Sequence, residues 1–282
     1  MPLLQATFPF LRPVLPVLLL AATGALRAAT DAADYTWSNP KPEGALRELN
    51  SDRPDVTEGP FTVDAGHVQL EMDFANLTLN RDQNERSTEL GAAPFNLRIG
   101  LSDRLEAGLF VVPFIDRHSR PADGSAATVS GAGDTTLRLK YNFWGNDGGE
   151  SAGGLIVDLK LPTANSGLGN GRTEGTAYLP GAWNLPGDWD LGAMTAVNLA
   201  YFGSSYRAGW INTVTLGHPL TRKTAGYIEL TSLAGLGAPV ATFDFGATWL
   251  LSRNLQLDAG ANLGISRAAP DFLVFSGVTR RF

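Results

Sequence analysis

The chain has 282 residues, 18% charged and 44% hydrophobic, with 32 glycines, no cysteine and a formal net charge of -6. Without cysteine there is no disulfide framework, no thiolate metal site and no cysteine nucleophile. The acidic balance is scattered and no Lys/Arg-rich run appears, so nucleic acid is not an expected partner.

The first predicted element is a secretory signal peptide over residues 1–28. Arg12 precedes the apolar stretch from Pro13 to Leu26, which runs into small residues around Ala25 to Ala29. That stretch is shorter than the ~20 residues a membrane helix needs, and Pro13 and Pro16 sit inside it. Either Thr23-Gly24-Ala25 or Leu26-Arg27-Ala28 can serve as the cleavage zone. No later apolar run is long enough for a membrane helix. The mature chain is therefore either soluble in the periplasm or a barrel, whose hydrophobicity hides in a period of two.

Residues 29–64 are polar and turn-rich, with Ser38-Asn39-Pro40, Lys41-Pro42 and Asp52-Arg53-Pro54-Asp55. They read as a periplasmic leader or partial plug, mostly irregular.

Alternation begins at His67. His67, Gln69, Glu71 and Asp73 share one face, and Val68, Leu70, Met72 and Phe74 the other. The same grammar sets Arg98 against Leu97 and Ile99, and Glu106 against Leu105 and Ala107. Arg138 and Lys140 oppose Leu137, Leu139 and Tyr141; Asp158 and Lys160 oppose Val157 and Leu159. Further on, Glu229 opposes Ile228 and Leu230, Asp244 opposes Phe243 and Phe245, and Asp258 opposes Leu257 and Ala259. Between Trp210 and Leu216 the register stays open, because Asn212 shares a face with Trp210 and Val214. The pattern predicts an all-β chain over residues 65–282: a transmembrane antiparallel up-and-down β-barrel of about twelve strands, each roughly ten residues long.

Links after odd strands are expected to be long polar loops over residues 80–93, 115–133 and 164–174. Those after even strands are mostly tight, as at Ser102-Asp103, Pro186-Gly187-Asp188 and Ser252-Arg253, with residues 145–153 a longer exception. That asymmetry is expected of an outer-membrane barrel with its long loops outward. Clean apolar faces alone would suit a soluble sandwich equally well. The closing sequence Phe275-Ser276-Gly277-Val278-Thr279-Arg280-Arg281-Phe282 favours the membrane, since Gly277 and Phe282 stand where a barrel-assembly signal places its glycine and final aromatic. Arg280 replaces the usual second aromatic. The expected partners are outer-membrane lipid, the barrel-assembly machinery and a small solute.

Asp52-Arg53-Pro54-Asp55-Val56-Thr57-Glu58-Gly59-Pro60-Phe61, running into Ala65-Gly66-His67-Val68-Gln69, resembles the opening of a bacterial family. That family is labelled as outer-membrane transporters of the meta-pathway of phenol degradation. Gly100-Leu101-Ser102-Asp103-Arg104, Leu137-Arg138-Leu139-Lys140-Tyr141, Leu159-Lys160-Leu161-Pro162-Thr163 and Leu257-Asp258-Ala259-Gly260 extend the match in order across nearly all of the mature chain. The resemblance implies a transporter barrel; it names no solute and transfers no catalytic residue.

Only His67, His118 and His218 are available for histidine chemistry, and none has metal-ligand spacing. No cofactor is expected. If the polar faces line a lumen, it carries Glu71, Asp73, Arg98, Glu106, Arg138, Lys140, Asp158, Lys160, Glu229, Asp244, Asp258 and Arg281. Mixed signs suit a narrow hydrated path better than a strongly selective pore. Three functions follow: a channel for small solutes, aromatic or hydrophobic compounds among them; a sealed structural or adhesion barrel; and a lipid hydrolase using His118 and Ser119, expected in an exposed loop.

Overall fold

The computed structural model describes residues 35–81, 85–121 and 123–282. The expected signal peptide lies outside them. The described residues form a closed ring of twelve antiparallel strands. These are β1 (Val68–Arg81), β2 (Glu85–Ala92 and Phe95–Gly100), β3 (Leu105–Val111 and Phe114–Pro121) and β4 (Ala127–Gly131 and Thr135–Trp144). There follow β5 (Ser151–Leu161), β6 (Glu174–Leu185), β7 (Trp189–Phe202) and β8 (Ser205–Pro219). Last come β9 (Thr224–Ala234), β10 (Val240–Ser252), β11 (Leu255–Gly264) and β12 (Phe272–Arg281). Each strand pairs with its successor, and β12 returns to β1 with Gln69 opposite Arg281 and Leu79 opposite Phe272. Closure leaves no edge strand along the barrel wall, as a hydrocarbon environment requires.

Burial runs opposite to that of a soluble protein. Lys140, Glu106 and Asp244 are fully buried, whereas Leu139, Leu199 and Trp249 are more than half exposed. Charged side chains inside and leucines outside are stable only where hydrocarbon covers the outer face. No helix among the described residues is long and apolar enough to cross a membrane; the strands do so. The open register on β8 resolves with Asn212 on the outer face beside exposed Trp210 and Val214, its carbonyl oxygen accepting from the Thr195 hydroxyl at 2.9 Å.

Two of the expected loops are strands. Residues 80–93 and 115–133 largely continue β1 to β4, paired as Glu89 with Arg117 and His118 with Thr128. Pro94 and Pro113 mark breaks within β2 and β3, because proline cannot donate to the ladder. Matching irregularities fall in β1 at Asp73/Ala75 and in β4 between Gly131 and Thr135, so a crease crosses four neighbouring strands. At the end holding His67 and Phe282 the turns are short, such as 186–188 and 253–254; this is called the turn end below, and the opposite one the loop end.

Candidate functional site in the barrel interior

Residues 35–64 contain one turn of 3-10 helix, Glu43–Ala45, and otherwise follow an irregular path. Their partners identify that path. Arg53 bonds β1 and β11, Asp52 bonds β2 and β4, and Thr57 bonds β8 and β9. A segment that touches strands all around a closed ring lies within it.

On the wall from β1 to β5, ion pairs fasten the segment. Arg98 donates to Glu106 at 2.8 Å and to Glu71 at 2.7 Å, and its guanidinium sits 3.1 Å from Asp52. Lys140 donates to both Asp52 oxygens, at 2.6 and 2.5 Å. Arg138 holds Asp158 in a two-pronged grip at 2.8 Å for each bond and reaches Glu58 at 2.7 Å. The Tyr178 hydroxyl donates to the same Asp158 at 3.1 Å. Burial raises the cost of each charge, and the short, forked geometry offsets it.

Arg53 ties the segment to the closing seam. It is bonded to Asp73, donates to Asp258 at 2.6 and 3.1 Å, and lies over the Phe275 ring at 5.7 Å. Gly277 leaves the space: a Cβ there would come within 2.2 Å of the Arg53 guanidinium and 2.4 Å of the Met72 carbonyl.

The opposite wall carries carboxylates. Glu229 accepts from the backbone N–H groups of Val56 and Thr57 at 2.9 and 2.7 Å and from the Thr57 hydroxyl at 2.5 Å. Thr57 Oγ1 is also 2.7 Å from Thr213 Oγ1. Asp244 is the register partner of Glu229 and accepts from Thr242 at 3.0 Å. Among the described residues no Lys or Arg reaches Glu229 or Asp244 within 4.0 Å, so hydrogen bonds alone hold the segment here.

Toward the turn end, Arg281 donates to Asp64 at 2.9 Å and Glu106 accepts the Val63 N–H at 2.8 Å. Toward the loop end, Lys160 binds Asp134 at 2.9 Å and Glu174 at 3.1 Å. The twelve charged positions expected to line a lumen are thus buried or half-buried, and each contacts a partner inside the ring. His67 bridges the Phe282 and Lys41 carbonyls at 3.0 and 2.7 Å, and Phe282 itself is exposed. His118 contacts Asp116 and Thr128 at 2.9 and 2.8 Å, while Ser119 points to the other face of β3, as neighbours on a strand must. His218 lies against the Trp189 ring, 4.5 Å between centroids.

The interior is not filled. A cavity of about 540 Å³ lies above Asp52, Arg53 and Glu58, walled by Phe110, Val112, Ile115 and Leu273. Another of about 460 Å³ separates the segment from β6 to β10 near Ala182, Gly192 and Gly226, and a third of about 370 Å³ borders Arg47, Phe61 and Arg281.

Residues 51–282 match a family described as "Putative MetA-pathway of phenol degradation". The chain belongs to that family. Among solved structures, the COG4313 outer membrane channel from Pseudomonas putida F1 is similar with a TM-score of 0.62 at 14% identity, over 83% of this chain and 100% of that one. The β domain of the Bordetella autotransporter Brka gives a TM-score of 0.51 at 14% identity, over 77% and 99%. Identities this low establish a shared fold. No curated protein matches in sequence.

Within this phenol-degradation family member, the match begins where the interior segment does its bonding. Asp52, Arg53, Thr57 and Glu58 were absent from the lumen residues expected from alternation, because an irregular segment has no period to read. The signal was present nonetheless: four ionisable residues within seven positions, in a stretch carrying the family resemblance.

Proposed function

We propose that the protein is an outer-membrane channel for small solutes, aromatic and hydrophobic compounds among them, with residues 35–64 serving as a plug inside the barrel. One observation carries this reading. The ring is occupied by a tethered segment held through ion pairs and hydrogen bonds, with cavities on either side, rather than by apolar packing. A purely structural barrel of this size gains nothing from a polar, incompletely filled interior. The loop end faces outward, and the turn end, with both ends of the described chain, faces the periplasm. Arg138, gripped by Asp158, reaches Glu58 of the plug and Lys140 holds Asp52, and solute passes beside these charged contacts from the cavity walled by Phe110 and Leu273. Gly277 and Phe282 are the points presented to the barrel-assembly machinery. Transport rather than catalysis is supported by the opposite orientations of His118 and Ser119, which keep base and nucleophile apart.

Refolded protein in planar bilayers and in solute-loaded liposomes tests this. Stepwise conductance and solute release are expected, with the conductance changed by Arg138→Ala and by Asp158→Ala. A protein that inserts but neither conducts nor permeabilises liposomes would overturn the reading.

A further inference from the structure

The outer face of β1 to β3 at the loop end carries a feature that permeation does not use. Arg81 on β1 is the register partner of Arg86 on β2, and Arg86 is the partner of Arg120 on β3. All three are exposed. Alternation places them outside the barrel. Glu89 and Gly91 line the interior cavity, so Arg86 and Leu90 face away from it. Arg117 turns inward to Glu89 at 2.6 Å, which leaves Arg120 on the outer face.

Like charges directly opposite one another destabilise a sheet. Inside the barrel, Arg53, Arg98, Arg138 and Arg281 each hold a carboxylate within 4.0 Å. Among the described side chains, which do not include those of residues 82–85, no carboxylate does so for Arg81, Arg86 or Arg120. Their height on the wall is also informative. Leu77 and Leu79 precede Arg81 on the same face, and Arg81 lies about 7 Å beyond Leu79 at ~3.3 Å per residue. With the apolar side chains Leu77 and Leu79 against hydrocarbon, a step of that length reaches the headgroup layer.

We propose that Arg81, Arg86 and Arg120 bind the phosphorylated sugar headgroup of the glycolipid that forms the outer leaflet. The assignment rests on the outer-membrane reading above. Guanidinium forks match phosphate oxygens in pairs, and a bound anion removes the repulsion along the row. A row three strands wide spans about 10 Å, which suits two phosphates on one disaccharide headgroup better than a single phosphate ion. Depth agrees with this source, because a lipid brings its phosphates to the level of Arg81 while its chains lie against Leu77 and Leu79.

The test compares binding of bis-phosphorylated lipid A, its monophosphorylated form and inorganic phosphate to the full-length protein refolded in detergent. Wild type, the triple variant R81Q/R86Q/R120Q and the inner-face variant Arg117→Gln are measured together. Folding of each is checked by its shifted migration on unheated gels. Saturable, salt-sensitive binding of the bis-phosphorylated lipid is expected, weakened about tenfold or more in the triple variant and unchanged by Arg117→Gln. Equal binding by the folded triple variant would overturn the assignment. So would competition by inorganic phosphate at the same concentration as lipid, which would mark an ion site. Conductance measured on the same samples separates the two readings: lipid binding without conductance removes the channel and leaves this site, and the reverse leaves the channel alone.

Discussion

Arg53 joins three strands that close the ring, bonding Asp73 on β1 and Asp258 on β11 and covering Phe275 on β12. Both carboxylates are buried, so removing the guanidinium leaves two uncompensated charges, each broken pair costing about 3–5 kcal/mol where the wall cannot relax. Arg53→Ala is expected to lower the urea midpoint for plug release, read by protease access to residues 35–64, and to raise conductance. Unchanged values in both would show that the segment is held elsewhere. Asp55 offers a test by pH. Burial, then the neighbouring Glu229 carboxylate, push its carboxyl well above the usual range. A raised value in the docked state means that docking takes up a proton, so this contribution is complete below the ordinary aspartate range and is lost as pH rises through the docked value. Asp52 runs the other way. Burial raises it, but Arg98, Lys140 and Arg138 together hold it below its usual range, so its pairing fails only in strong acid. Conductance is therefore expected to increase as pH rises through the raised docked value of Asp55, and Asp55→Asn to flatten that rise. A variant keeping the wild-type profile would exclude Asp55 as the titrating group.

At the level of elements, alternation was a sound guide wherever one face met hydrocarbon and the other the ring interior. Lys140 beside Leu139 and Asp244 beside Phe245 needed no further information, because period two assigns faces directly. The guide failed in two places. Residues 85–89 and 116–121 are polar on both faces, so their alternation carried no hydrophobic contrast. The plug failed for another reason: Arg53 meets Asp258 across 205 residues, and no local pattern encodes such a pairing. The lipid-facing assignment makes its own prediction. Leu139→Arg places a charge near mid-membrane, at a cost of about 2–4 kcal/mol. It is expected to reduce the folded fraction in vesicles, while Leu139→Phe leaves it unchanged. Equal folding of the arginine variant would mean that lipid does not cover β4.

For the whole molecule, the arrangement is a rigid ring enclosing a segment fastened by charge on one wall and by hydrogen bonds on the other. Permeation then depends on how firmly the weaker side holds. Thr57 and Thr213 are suited to probing this, since their hydroxyl oxygens lie 2.7 Å apart and the chain has no native cysteine. The direct measurement is the conductance of the double variant T57C/T213C in planar bilayers, oxidised and then reduced in the same membrane. The account predicts low conductance while the disulfide pins the plug and a return to wild-type steps on reduction. Identical conductance in the two redox states, with the disulfide verified to form, would contradict it.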